Sequence, residues 1–391
     1  MKKATIVILT LICFSCTEKA TEIIKNPVFD KQKDIEAIDL MVNNFLAKYN
    51  LPGASVAITK NEKLVYTKGY GYANVEKKEL VTPEHVFRIA SCTKPYTGMA
   101  IMKLVELNAL KLSDKVFGPG AILGTKYGTK AYSHELKQIT VSHLLQNVSG
   151  AFVDANGRDL INSMEQLNNK DYMNWVLDNS TQEFSPGTKY HYVNVNFFVA
   201  SMIIEELAGR DYDGFLQEVI LRQITDGYTR LGKNSPSAGE VTYYGQGVLK
   251  GQEYGNYFER YFGAGSLLGN AESLVRFATA LDGKNTRPDL LSPSLMKEYT
   301  TGSAAASSQA HGIGLWGNDR YYFYGSLPGS RSGWIVDKST GLSAAIVFNG
   351  NLDYTKANYN DFALAVQDVL VDFVTQQRAY QDIDQFYQNV F

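Results

Sequence analysis

With 391 residues, 45% apolar and 20% charged, the chain is long enough for one large or two medium domains and has the composition of a soluble globular enzyme. With a net charge of -2 and no long run of either sign, nothing in the chain suggests a nucleic-acid footprint. The 25 Tyr and 19 Phe suit a large core, an aromatic-lined cleft, or both.

Lys2 and Lys3 precede an apolar run from Ala4 to Phe14, and Ser15-Cys16 follow. That run is too short to span a bilayer; a basic start with a short apolar segment is the pattern of an export signal. It resembles a bacterial lipoprotein signal, with small Ser15 just before the Cys16 that would be acylated. Cys13 stands where Leu is usual, and an ordinary cleaved signal with an incidental cysteine is the alternative. The expectation is a signal peptide over 1–15, lipid on Cys16, a tether over 16–33, and an exported chain anchored to a bacterial membrane on the periplasmic side or cell surface. A lipidated Cys16 leaves Cys92 without a partner, so no disulfide framework follows.

From Asp34 the positions Ile35, Ile38, Met41, Val42 and Phe45 follow helical spacing, which Leu51-Pro52-Gly53 breaks. Ser55–Thr59 and Leu64–Gly69 read as strands of a hairpin turning at Asn61-Glu62. Ser91 and Lys94 then stand at i and i+3 ahead of an apolar run through Met99, Ile101, Met102, Leu104 and Val105. Pro95 is tolerated only in a first turn, so the helix starts close to Ser91. One helix face presents i and i+3, so the hydroxyl and the amine can meet, beside the unpaired N–H groups of a helix N-terminus. A lysine desolvated there loses its proton more readily and can serve as base to a serine nucleophile. Alone the tetrad is a chance pattern, with a solvated lysine as the plain alternative.

Between Glu106 and about Gly302 strand patterns are scarce. Helical stretches recur at Val141–Gln146, Met164–Leu177, Val195–Leu207, Tyr212–Leu221 and Ala271–Leu281. From His311 short alternating runs take over, at Arg320–Tyr324, Ser332–Asp337 and Leu342–Phe348, before an amphipathic helix carrying Phe362, Val366, Val369, Leu370 and Phe373. Strands at both ends with helices between predict an α+β fold. One antiparallel sheet is formed by both termini and flanked by helices, and a mostly helical lobe is inserted. The domain runs over 34–376, with its sheet lobe over 34–88 plus 303–376, its helical lobe over 89–302, and a tail over 377–391.

Two further segments accompany Ser91. After a Pro-Gly turn, Tyr192 and Asn194 stand two apart, and in an extended segment they share one side. A phenol and an amide there can face a cleft, one moving a proton and the other holding a carbonyl; a core tyrosine is the equal alternative. Tyr324-Gly325-Ser326-Leu327-Pro328-Gly329 ends one strand, where Gly325 lets a substrate approach the backbone closely. A strand N–H aimed at Ser91, with the N–H of Ser91 itself, makes an oxyanion hole.

Together these pieces resemble the serine β-lactamase and penicillin-recognising superfamily, nearest its class C-related hydrolase branch. S-x-x-K at Ser91–Lys94, Y-x-N at Tyr192–Asn194 and the x-x-G strand at Phe323–Gly325 fall in family order. Ile139–Leu145 with Ser149-Gly150, and Gly263–Leu268, match further family stretches. The resemblance runs from about Asp34 to Gln376 and implies a β-lactamase-like fold. By the same resemblance Ser91 is the acylated nucleophile, Lys94 and Tyr192 the proton-transfer pair, Asn194 and Gly325 substrate-binding, and the N–H groups of Ser91 and Ser326 the oxyanion hole.

One departure bears on substrate. The family's strand motif begins with Lys or His, and here Phe323 stands there, followed by Tyr324. Arg331 and Lys356 are the nearby cations that could substitute. The missing charge counts against β-lactamase and D-Ala-D-Ala carboxypeptidase activity and leaves ester or amide hydrolysis open. A degenerate cleft that only binds peptides or muropeptides is the non-enzymatic alternative. Asp154-Ala155-Asn156-Gly157 fails the spacing of a calcium loop, the five histidines share no metal-ligand spacing, and no G-x-S-x-G elbow occurs. The expectation is a monomeric serine hydrolase, without metal or cofactor, acting on a small-molecule or peptide substrate.

Overall fold

The computed structural model describes residues 36–255, 258–284, 286–376, 378–380 and 384–387. The signal, the tether and Cys16 lie outside them, as does part of the 377–391 tail.

Helix α1 (Glu36–Tyr49) buries Ile38, Val42, Phe45, Leu46 and Tyr49, one stripe at helical spacing, with acids in its first turn and Lys48 in its last. Strands β1 (Gly53–Lys60) and β2 (Lys63–Asn74) form the expected hairpin. Its turn residues Asn61 and Glu62 both take positive φ, 49° and 63°, as a two-residue primed turn requires. A short strand β3 (Glu79–Leu80) follows. The lobe then supplies α2 (Thr93–Glu106), α3 (Asn194–Ala208), α4 (Phe258–Gly265) and α5 (Ala271–Thr279). The chain returns through β4 (Gly314–Trp316), β5 (Arg320–Leu327), β6 (Ser330–Asp337) and β7 (Leu342–Phe348) and closes with α6 (Asn358–Thr375).

All seven strands pair antiparallel in the order β3-β2-β1-β7-β6-β5-β4. The first and last of these strands in chain order therefore meet at the centre of the sheet, with Ala54 opposite Phe348 and Lys60 opposite Leu342. Strand alternation sends Val56, Ile58, Ala344 and Ile346 to a core under α1 and α6, and Ala57, Trp334, Ala345 and Val347 to a core shared with the helical lobe. Both faces are covered, which is why the central strands read as continuous apolar runs. This is the expected α+β, β-lactamase-like fold.

The lobe differs from expectation in detail. The stretch expected to be helical from Met164 begins at Asn169, because the Asn168 side chain caps it by accepting the Asp171 N–H. The stretch after Tyr212 passes through a π turn at Gln217–Leu221. Helices at His134–Gln138, Phe258–Gly265 and Pro293–Tyr299 were not legible. Nor was a small sheet in which Leu267–Gly269 pairs with both Phe87–Arg88 and Arg230–Leu231. That sheet fixes the approach to Ser91.

Candidate active site around Ser91

Phe87–Arg88 pairs with Leu267–Gly269, and the Ile89 N–H donates to Leu267 O at 3.0 Å. Ala90 then turns the chain with φ at 49°, a left-handed conformation rare for a residue with a side chain. Ser91 follows in a 3-10 turn, Ala90–Cys92, that runs directly into α2. Pro95 falls in the first turn of the helix, as its missing N–H demands. Residues Thr93 to Leu104 of α2 are all buried, whereas Ser91 at its mouth is half-buried.

Lys94 is fully buried. Its Nζ lies 3.1 Å from Ser91 Oγ and 2.7 Å from both Asn194 Oδ1 and Ala264 O, over the rings of Tyr192 and Phe197. Burial, the largest influence, pulls its pKa from 10.5 down to about 7, with Asp159 and Cys92 pulling the other way. Ala264 presents its carbonyl because α4 breaks at Phe262, where φ is 34° and ψ -117°. Cys92 is also buried, its thiol pushed up to about 12 by desolvation, so it stays a protonated neighbour and not a second nucleophile.

The Tyr192 hydroxyl donates to Ser91 Oγ at 2.8 Å. Burial raises this phenol well above its ordinary pKa, so it keeps its proton at neutral pH. Tyr192 and Asn194 do not share an extended segment: Val193 is the extended N-cap and Asn194 opens α3. They converge from either side of that cap, where the Asn147 side-chain oxygen accepts the Val193 backbone N–H and the Asn196 side-chain N–H. Sequence reasoning missed Asp159, which accepts the Asn194 backbone and side-chain N–H groups at 2.5 and 2.8 Å. It also missed the Ala264 carbonyl, a backbone group inside the Gly263–Leu268 stretch.

On the sheet side, β5 runs alongside the Ser91 turn. A Cβ at Gly325 would lie 2.3 Å from Ile89 O and Ser332 Oγ and 3.0 Å from the Ala90 Cβ. The close approach seen at this glycine is that of the chain's own turn. Leu315 N–H donates to Ser308 O, away from β5, so Gly314 and Trp316 face Tyr322 and Arg320. Backbone groups alternate along a strand, and the register stays regular to Leu327. The Tyr324 and Ser326 N–H groups therefore turn to the same edge, beyond the end of β4. The Ser326 hydroxyl is engaged elsewhere, with Tyr359 at 3.1 Å and Asn351 at 2.8 Å.

Phe323 is buried in the core shared with the lobe. Arg331 reaches the opposite face, 3.5 Å from the Tyr359 hydroxyl and near the Tyr324 and Phe362 rings. Lys356 is exposed in the loop before α6. Asp154 accepts from Asn156 N–H and Arg158, an internal turn rather than a cation loop. His143 caps the Val141–Leu145 helix. A cavity of about 940 Å3 lies away from Ser91, beside Val105, with Ser142 and His311 in its wall. There Ser142 Oγ lies 3.0 Å from His311 Nε2, and the other ring nitrogen meets the backbone oxygen of Glu298 where a triad would place a carboxylate.

With this fold and this cluster in place, the chain belongs to the β-lactamase family, whose sequence model matches residues 38–368. It is a β-lactamase-fold member of a serine hydrolase family, as the order of its motifs implied. It is similar to Protein flp of Staphylococcus aureus, 30% identical over 201 residues, 51% of this chain and 39% of that protein. The chain thus spans well under half the length of that curated relative. Similarity to the D-aminopeptidase of Gluconobacter oxydans is 24% over 327 residues, 80% of this chain and 58% of that one. The solved D-amino acid amidase from Ochrobactrum anthropi shares the fold, with a TM-score of 0.67 at 21% identity over 86% of this chain and 98% of its own.

Proposed function

We propose that the protein is a serine hydrolase that works through an acyl-enzyme on Ser91, cleaving ester or amide bonds of a small or peptide-like substrate. The observation that carries this reading is the proton inventory at Lys94. A neutral amine has two N–H bonds and one lone pair. Asn194 Oδ1 and Ala264 O can only accept, and take the two N–H bonds. As an ammonium Nζ donates to Ser91 Oγ as well; once it has lost a proton, the lone pair is left for the Ser91 hydroxyl.

The Ser91 proton moves to Lys94 as Oγ bonds to the substrate carbonyl carbon. The carbonyl electron pair moves to its oxygen, held by the N–H groups of Ser91 and Ser326. The oxyanion pair then re-forms the carbonyl as the bond from its carbon to the leaving amine or alkoxide breaks, and Tyr192, still protonated, hands its proton to that leaving group and is reprotonated from the Lys94 ammonium. Water then repeats the attack on the acyl-enzyme, its proton going to Lys94; as the carbonyl re-forms, the bond to Ser91 Oγ breaks and Oγ takes that proton back from the Lys94 ammonium, releasing the acid.

The test is a fluorophosphonate label followed by a hydrolysis panel of nitrophenyl esters, D-residue amides, D-Ala-D-Ala peptides and a chromogenic β-lactam. An adduct on Ser91 that is lost in Ser91→Ala is expected; a wild type that labels with nothing is a binding protein. Carboxypeptidase or β-lactamase activity is the second reading, favoured by similarity to the D-aminopeptidase and opposed by Phe323. Anchoring through a lipidated Cys16 belongs to the same proposal, since one such cysteine usually carries enough acyl chain for stable attachment. If Cys16→Ser still labels with radioactive palmitate and stays with membranes, the anchoring reading is wrong.

A further inference from the structure

We propose that Asp159 is a positioning residue that fixes the orientation of the Asn194 amide and thereby the direction in which Lys94 presents its lone pair. The proposal rests on the hydrolase reading above. Asp159 Oδ2 accepts both the Asn194 backbone N–H (2.5 Å) and its side-chain Nδ2–H (2.8 Å), while Oδ1 accepts the Ile161 N–H at 3.1 Å. Burial raises the Asp159 pKa, and the three N–H donors and Lys94 oppose that rise; all three hydrogen-bonding neighbours are donors, so the group serves as a carboxylate, since a protonated carboxyl would face donors with a donor. An amide whose nitrogen is held by Asp159 must aim its oxygen at Lys94, where it lies 2.7 Å from Nζ. Were the amide reversed, its N–H would take the Lys94 lone pair and the Ser91 hydroxyl would lose its base.

The charges facing this pair are few. Lys94 faces Cys92 from its own turn and Asp159 from across the cleft, with Tyr192 above it. Asp159 faces Lys94, Tyr192, Tyr172 and Tyr261, with Arg260 seated over the Tyr172 ring. Asp159 is thus the carboxylate that holds the Lys94 pKa up against burial.

Asp159→Asn keeps the size and removes the charge. Two effects follow with opposite consequences. Loss of the negative charge, and any N–H turned toward the ammonium, both lower the Lys94 pKa, so the acid limb of fluorophosphonate labelling against pH should move down by roughly half a pH unit to one. The plateau rate should nevertheless fall about ten- to a hundredfold, because the lone pair is misdirected. A merely structural defect would admit water and move the pKa up toward its ordinary value of 10.5.

The experiment is 13Cε NMR of lysine-labelled protein, with Lys94 assigned through Lys94→Met, titrated in wild type and Asp159→Asn, alongside the labelling profile. It includes Asn194→Ala and the double variant. The expected result is a lowered Lys94 pKa and a plateau loss that largely disappears in the Asn194→Ala background. An unchanged or raised pKa, or additive losses, overturns the proposal. The NMR titration needs no substrate, so a wild type that labels with nothing would sink the hydrolase reading while the pKa still decides whether Asp159 sets Lys94.

Discussion

The two faces of the sheet are built on different rules. Under α1 and α6 the packing is apolar and regular: Phe45 stacks on Phe348 at 5.2 Å and meets Phe362 at 5.9 Å. Polar groups enter that region as Asp39, which pairs with Lys68 and accepts from the Tyr66 and Tyr70 hydroxyls, and as Arg331, which lies over the Phe362 ring. Under the helical lobe the sheet instead packs against a core that holds Lys94, Asn196 and Thr97, all fully buried. The backbone there takes left-handed turns at Ala90, Asn147 and Phe262. Alternation of apolar residues suffices for a face that only stabilises. A face that positions chemistry needs buried polar groups, each with a partner, and backbone conformations that side-chain pattern does not encode.

The sharpest break between the faces is in turnover. Ser91→Ala and Lys94→Ala should each lose about a thousandfold or more in kcat, and the double variant little beyond either, since groups acting as a unit are not additive. Near-normal turnover in Ser91→Ala would end the mechanism. On the opposite face, Phe362→Ala should lower the unfolding free energy by about 3–5 kcal/mol, read by denaturant titration, with kcat of the folded protein unchanged. A kcat that falls with it would mean that the faces are coupled.

A smaller effect tests the strand between them. Phe323 puts an aromatic ring where a cation would meet a substrate carboxylate, and Arg331 lies on the far face. A charge-assisted hydrogen bond is typically worth about 1.5–3 kcal/mol. Neutral acyl groups should therefore be preferred over carboxylate-bearing ones by roughly ten- to a hundredfold in kcat/KM. Phe323→His should narrow that ratio between nitrophenyl esters and a chromogenic β-lactam. If wild type already turns over the β-lactam as fast as the esters, another cation serves and the idea is wrong.

The same contrast explains what could be read in advance. The stripe of α1, the Asn61-Glu62 hairpin, the runs of β6 and β7 and the face of α6 all follow from periodicity, because one rule governs each. Ser91, Lys94, Tyr192 and Asn194 were legible because they stand in short motifs in a fixed order, and the structure brings them into one cluster. Asp159 was not, since it is a lone acid in a loop whose partner lies 35 residues away. Ala264 contributes only a carbonyl, and no residue type signals that. Gly325 was noticed for close backbone approach, and the turn before Ser91 makes such an approach.

The last difference between the faces is one of stability against pH, and it is the smallest. A buried Lys94 with a pKa of about 7 ordinarily titrates near 10.4 in an unfolded chain. Between those values the unfolded chain binds a proton that the folded one does not, so wild-type stability rises with pH across that window. Below about pH 7 the cost of burying the ammonium is fully present. Each tenfold loss of proton affinity on folding corresponds to ~1.4 kcal/mol, but Lys94→Met also leaves the Asn194 and Ala264 oxygens without a donor, at about 1–3 kcal/mol each. A net gain of roughly 1–2 kcal/mol at pH 6 is expected, a Tm higher by about 2–4 °C, with the gain gone or reversed by about pH 9.5. Thermal unfolding of both proteins at the two pH values decides it. A Lys94→Met variant no more stable than wild type at pH 6, or equally favoured at both values, would show that the base is held in its site without strain, and that the two faces differ in chemistry but not in cost.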